Sequence, residues 1–183
     1  MIVILIIVGI VVLAALFLVF RYNGLVSARN RVDQAWSQID VQLRLRYDLI
    51  PNLVETVKGY AAHERQTLEE VVAARQRGVE ASGVAEQAGA ENQITQALGR
   101  LFALSEAYPD LKANTNFLNL QEELSAVEGK IAYARQFYND AVFSYNTRIQ
   151  SFPTNVVASL FKFGEREYFE TEGEARDPVR VQF

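Results

Sequence analysis

The sequence predicts an all-α protein in which an N-terminal transmembrane helix is followed by an up-down-up-down antiparallel four-helix bundle. Residues 2–20 carry no polar side chain. Beyond them, apolar residues recur at steps of three and four, the period of a helix face rather than of a strand. Four prolines, Pro51, Pro109, Pro153 and Pro178, punctuate the remainder, and each marks a candidate helix boundary. The expected division is a membrane anchor over residues 1–21, a helical bundle over 22–163 and a C-terminal tail over 164–183.

The anchor follows from length and flanks. Nineteen helical residues rise roughly 28 Å, close to the hydrocarbon thickness of a bilayer. A core helix would show polar residues on one side, and residues 2–20 show none. A cleaved signal peptide usually opens with a basic residue and ends at small residues; here no Lys or Arg precedes the apolar run, and Phe20-Arg21-Tyr22 closes it. The chain has no cysteine, which excludes lipoprotein-type processing and suits a reducing compartment. Arg21, Arg29 and Arg31 follow the run, so the positive-inside rule expects a single pass with the N-terminus outside and the body in the cytoplasm. Tyr22 suits the headgroup level.

The first bundle segment places Val32, Trp36, Ile39 and Leu43 on one seam, a pattern for helix packing. Trp36, the only tryptophan, is expected to be buried there. Asp48 as N-cap with Pro51 in the next first turn predicts a tight reversal near Asp48. The seam nevertheless continues in phase through Ile50, Leu53, Val57 and Tyr60, so one kinked helix is the alternative. A second helix is expected through His63, Leu68, Val71 and Val72 to about Arg77. Residues 78–89, rich in Gly, Ala and Ser, read as a flexible connection in which Gln87 is dispensable. A third helix carries Ile94, Ala97, Leu98, Leu101 and Phe102, and Tyr108-Pro109-Asp110 ends it. The fourth places Phe117, Leu120, Leu124, Val127, Ile131, Ala134, Tyr138, Ala141 and Tyr145 on one seam, with Asn114, Asn116 or Asn119 as N-cap. Phe152-Pro153 stops it, a brief turn over 156–161 follows, and Tyr168 and Phe169 are expected to dock the tail.

Charge and motifs narrow the function. Residues 21–60 carry six basic and four acidic side chains, and residues 61–183 twelve and eighteen. A basic part next to the membrane suits anionic lipid, and no basic stripe interleaved with aromatics points to nucleic acid. The single histidine, His63, is followed by Glu64; neither a zincin pair nor a di-iron ligand set can be completed. No nucleophile elbow or phosphate-cradling glycine pattern occurs. The expectation is therefore no catalytic, cofactor-binding or metal-ligating residues, no cofactor and no enzymatic activity. Two features remain. Arg46 falls on the apolar seam of the first segments and Arg135 flanks the seam of the fourth helix, with Asp40, Asp48, Glu55, Glu122 and Glu128 as candidate partners; such groups either line a polar groove or fix helix register. The dipeptide Tyr-Asn recurs at Tyr22-Asn23, Tyr138-Asn139 and Tyr145-Asn146, where aromatic packing with a satisfied hydroxyl is expected.

Tyr22-Asn23-Gly24-Leu25-Val26, Ala35-Trp36-Ser37-Gln38-Ile39-Asp40-Val41-Gln42-Leu43 and Asp48-Leu49-Ile50-Pro51-Asn52-Leu53-Val54 together resemble the LemA family of bacterial membrane proteins. Val57-Lys58-Gly59-Tyr60-Ala61, His63-Glu64, Arg135-Gln136-Phe137-Tyr138-Asn139, Phe152-Pro153 and Val181-Gln182-Phe183 match as well. Only residues 78–89 show no matching pattern. The resemblance implies a membrane helix and a cytoplasmic antiparallel bundle in a bacterial inner (cell) membrane, with no activity or catalytic residue attached. The expected function is a membrane-anchored structural scaffold, its partners the lipid membrane and further copies of itself. The alternative is an adaptor that presents clients to, or regulates, a membrane protease, a membrane-protein partner that the Val181-Gln182-Phe183 terminus would engage.

Overall fold

The computed structural model describes residues 1–170. They form α1 (Ile2–Lys58), α2 (Arg65–Glu80), α3 (Val84–Ser105), α4 (Pro109–Lys112), α5 (Thr115–Gln150) and α6 (Thr154–Leu160). No strand occurs among the described residues. The Val181-Gln182-Phe183 terminus lies outside them. The described residues divide into two compact units: Met1–Ile39 with Ala134–Glu167, and Asp40–Tyr133 with residues 168–170. Helices α1 and α5 each contribute to both.

Helix α1 is the main correction to the sequence reading. It is 57 residues long, so anchor and first bundle helix are continuous through Asn23-Gly24, and no reversal occurs at Asp48. The reason lies at Pro51. A proline inside a helix removes the hydrogen bond to the carbonyl four residues back, here that of Tyr47. Arg75 repairs the loss by donating its Nε–H to the Tyr47 carbonyl oxygen at 2.7 Å. The expected kink-or-break residue is thus an interior helix position with its orphaned acceptor satisfied from α2. The chain turns instead at residues 59–64, and His63, assigned to the second helix from sequence, stands exposed in that turn.

The connection expected over residues 78–89 shrinks to 81–83. Helix α2 runs on to Glu80 and α3 begins at Val84, with Gly83 at φ 94° supplying the turn. Ser82 donates its backbone N–H to the Glu86 carboxylate at 2.9 Å, which also places an acidic group at the α3 N-terminus. Gly78 is an interior helix residue chosen for closeness. A Cβ there would come within 2.8 Å of both Ile94 Cδ1 and the Tyr47 hydroxyl oxygen.

In the unit built on residues 40–133, Leu43, Ile50, Leu53, Val57, Leu68, Val71, Ile94, Leu101, Leu111, Phe117, Leu124 and Ile131 are buried, as is Phe169 from the tail. Tyr168 is exposed. Asn114 is the N-cap of α5, its Oδ1 accepting the Phe117 N–H at 3.0 Å. In the other unit, Leu25, Val32, Ala35 and Ile39 of α1 and Ala134, Tyr138, Ala141, Val142, Tyr145 and Ile149 of α5 are buried. The α5 seam is as expected except at Leu120, which is half-buried. Trp36 is also half-buried, because Ala35 takes the innermost position; the indole instead packs at 5.5 Å from the Tyr138 ring.

Candidate functional site

The most unusual chemistry sits inside the 40–133 unit, where four polar residues, Arg46, Tyr47, Gln87 and Glu91, are buried together. Arg46 and Tyr47, consecutive on α1 and about 100° apart around the helix, converge on the two oxygens of one carboxylate, that of Glu91. Arg46 donates one NH to Glu91 Oε2 at 3.0 Å and the other to Thr95 Oγ1 at 2.9 Å. That second nitrogen also pairs with Glu128 Oε2 of α5 at 2.9 Å. Tyr47 donates its hydroxyl to Glu91 Oε1 through a very short hydrogen bond. Gln87 lies one helical turn before Glu91 and donates its amide to the Tyr47 hydroxyl at 2.7 Å and to the Gly78 carbonyl at 3.2 Å. Three residues thus direct donors at the Glu91 carboxylate, and α1, α2, α3 and α5 are all tied to one cluster.

Electrostatics follow from burial. Desolvation, reinforced by the Glu91 charge, pushes the Tyr47 phenol well above its ordinary value, so this group stays protonated and acts as a donor. Burial also pushes Glu91 above the usual carboxylate range, while the Tyr47 hydroxyl, the Arg46 guanidinium and the Gln87 amide pull it back down. Arg46 stands between two carboxylates, Glu91 and Glu128. Its charge neutralises Glu91 and extends to Glu128, whose side chain remains 44% exposed. With both terminal nitrogens of Arg46, the Tyr47 hydroxyl and the Gln87 amide engaged, although the buried Arg46 Nε has no partner, the arrangement holds helices in register.

Sequence reasoning located part of this cluster. Arg46 and Glu128 were marked as candidate partners, and the structure brings them together. Asp40 instead pairs with Arg44 at 2.8 Å, and Glu55 lies 3.5 Å from Lys58, both pairs exposed on one helix. Asp48 is exposed. Glu122 is exposed and lines a shallow groove with Leu118, Gln121, Ser125 and Ala126. Arg135 is half-buried on α5. Glu91 and Gln87 were missed, and Gln87 is the opposite of dispensable. Gln87→Ala is expected to destabilise the chain by about 1–3 kcal/mol, because the Gly78 carbonyl and the Tyr47 hydroxyl lose their donor in a buried setting. Gln93→Ala on the exposed face of α3 should be close to neutral. Denaturant midpoints of the two variants in mild detergent, measured side by side, check this.

A second polar arrangement lies in the other unit and uses the Tyr-Asn pairs. Residues 164–167 have no regular secondary structure and are fastened to α5. Tyr145 donates its hydroxyl to the Gly164 carbonyl at 3.0 Å, and Tyr138 donates to the Glu167 carbonyl at 2.9 Å. Asn146 both donates to the Arg166 carbonyl and accepts the Arg166 N–H, each at 2.9 Å, imitating one rung of a β-ladder with a side chain. The Arg166 guanidinium then reaches Asp33 of α1 at 2.6 Å. Burial raises both tyrosines above their ordinary values, keeping them as donors.

Among the described residues, fold and site define an all-helical protein with one helix long and apolar enough to cross a membrane and buried polar groups that hold helices to one another. The chain belongs to the LemA family, whose model matches residues 35–183. Among similar proteins is Magnetosome protein MamQ 2 of Paramagnetospirillum magneticum, 27% identical across 88% of this chain and 69% of that protein. Magnetosome protein MamQ of Magnetospirillum gryphiswaldense is 26% identical over the same shares. Protein LemA of Metamycoplasma hominis is 30% identical across 75% of this chain and 64% of its own length.

Proposed function

We propose that the chain is a single-pass scaffold of a bacterial inner membrane, anchored by residues 2–20, with its body in the cytoplasm and further copies of itself as partners. One observation carries the reading. The apolar stretch of α1, residues 2–20, is wholly exposed, yet it belongs to the same unbroken helix that enters the packed body at Leu25. Exposing that much apolar surface to water is strongly unfavourable, and a bilayer removes the cost. The body then reads as an antiparallel four-helix bundle in the 40–133 unit, made from the end of α1, α2, α3 and the start of α5. The reading assigns the chain no reaction: its most buried carboxylate is already engaged by Arg46, Tyr47 and Gln87. Tethering holds all copies in one orientation in two dimensions and raises their effective concentration, which favours lateral assembly.

The test has two arms. Membranes from cells making the full chain are washed with alkaline carbonate and treated with protease from either side; the body should stay with the membrane and be cut only from the cytoplasmic face. The detergent-solubilised chain is then weighed by light scattering over a range of concentrations and detergents, with a mass above one copy expected. A strict monomer throughout would sink self-association. A monomer that crosslinks in cells to a membrane protease would favour the adaptor role instead.

A further inference from the structure

Helix α6 and the residues flanking it leave a row of apolar side chains uncovered. Phe152, Val156 and Leu160 are 83%, 58% and 64% exposed, and Phe161 is 48% exposed. The first three are spaced by four, so Val156 and Leu160 stand one turn apart on the same face of α6. The opposite face seats the helix, through the buried Val157 and Ala158. An exposed cluster of this size on a short element calls for a cover.

The position of the cluster identifies the cover. The Phe161 ring lies 4.8 Å from the ring of Tyr22, and the Phe163 ring lies 5.7 Å from it. Tyr22 is two residues beyond Phe20, the last residue of the apolar run, hence about 3 Å farther along the helix axis. The headgroup layer on each side of a bilayer is roughly 5–7 Å thick. If α1 crosses the membrane, the C-terminal end of α6 is therefore at headgroup depth. The charges nearby have the matching sign. Arg21 stands with its guanidinium 5.2 Å from the Phe17 ring, Arg29 stands 5.5 Å from the Phe163 ring, and Lys162 follows Phe161 directly and is exposed. Basic groups beside aromatic and aliphatic side chains at this depth suit anionic headgroups above acyl chains.

We propose that α6 is a second membrane contact: an interfacial helix that buries Phe152, Val156, Leu160 and Phe161 in the lipid of the leaflet where α1 emerges. This rests on the anchor reading above. It adds that the body is held by two points, which restricts its rotation about and tilt away from the anchor axis.

Because the chain lacks cysteine, single cysteines report position directly. Leu160→Cys, Phe17→Cys and Tyr133→Cys are each introduced into the full chain and spin-labelled. The labelled chains are placed in vesicles of phosphatidylcholine and phosphatidylglycerol, and accessibility to oxygen and to a water-soluble nickel complex is compared. Phe17→Cys reports the anchor, and Tyr133→Cys, at a position 73% exposed, reports the body. The expected result is an oxygen-to-nickel ratio at Leu160→Cys severalfold above that at Tyr133→Cys and approaching that at Phe17→Cys. A lipid reading at Phe17→Cys with a water reading at Leu160→Cys overturns the second contact and leaves the anchor standing. A water reading at Phe17→Cys overturns both. A Leu160→Cys label shielded from oxygen and nickel alike, with an immobilised spectrum, shows that a protein surface covers α6 and also overturns the proposal. Replacing phosphatidylglycerol with phosphatidylcholine should lower the Leu160→Cys ratio if Lys162 and its neighbours act through anionic lipid.

Discussion

Arg46→Ala is expected to destabilise the chain by about 3–5 kcal/mol, the usual cost of leaving one partner of a buried ion pair behind. The partner left behind is Glu91, whose side chain is 4% exposed. Tyr47 and Gln87 still donate to it, but no charge would balance it. Glu91 would respond by moving further up from the carboxylate range, since Arg46 is among the groups that hold it down, and taking up a proton limits the loss. Arg46→Met with Glu91→Gln tests the same logic from the other side. Met fills the volume of the arginine stem, and Gln keeps an acceptor for the Tyr47 hydroxyl without a charge. Removing both charges together should cost much less than the sum of the single changes, because paired burial of ions is often no better than apolar packing. Denaturant midpoints of the unaltered chain, Arg46→Met, Glu91→Gln and the double variant in mild detergent complete the cycle. If Arg46→Ala shifts stability by less than about 1 kcal/mol, a value typical of solvent-screened pairs, then Glu91 is solvated or already neutral and the cluster does not hold the helices.

How much of this was readable in advance depends on which signal each residue gives. Arg46 stood out because a charge on an apolar seam is conspicuous, and the α5 seam was legible because its period never breaks. Glu91 was not legible. The stretch before it was read as a loop from its Gly, Ala and Ser content, so the helical phase that would have turned Gln87 and Glu91 inward was lost. Gly78 carried that misreading: glycine signals a turn as readily as it signals a close approach, and only the positions of Tyr47 and Ile94 separate the two. Pro51 misled in a related way. Its local effect on the helix is real, but the Arg75 side chain that offsets it comes from 24 positions further along, beyond the reach of any window. The Tyr-Asn repeat announces packed rings whose hydroxyls find partners, but no pattern in residues 164–167 announces a segment bound through its backbone. Trp36 shows the limit of seam reading. A seam of steps three and four admits two neighbouring residues, and the smaller, Ala35, takes the inner place.

Tyr145→Ala is expected to cost about 3–5 kcal/mol, the range for removing a fully buried aromatic. Tyr145 is 1% exposed, and its loss has two separable parts. The ring fills volume between elements that close-packed neighbours refill only in part. The hydroxyl satisfies the Gly164 carbonyl, where the fastened segment 164–167 begins. Tyr145→Phe removes only the second part and should cost about 0.5–1.5 kcal/mol, the net worth of one hydrogen bond, because the carbonyl belongs to Gly164, which is exposed and open to water. The two variants should also differ in what they release. In Tyr145→Phe the reciprocal Asn146–Arg166 bonds and the Tyr138 bond to Glu167 remain, so the Arg166 amide should keep its protection from hydrogen exchange. In Tyr145→Ala the α5 surface beneath the segment is lost, and that amide should exchange faster. Trp36, packed on Tyr138, gives an independent optical signal, because loosening there exposes more of the indole and shifts its emission to longer wavelength. An alanine variant with an unchanged midpoint and unchanged Arg166 exchange would show that the segment is held by Asn146 and Tyr138 alone, and that the Tyr145-Asn146 pair contributes only its asparagine.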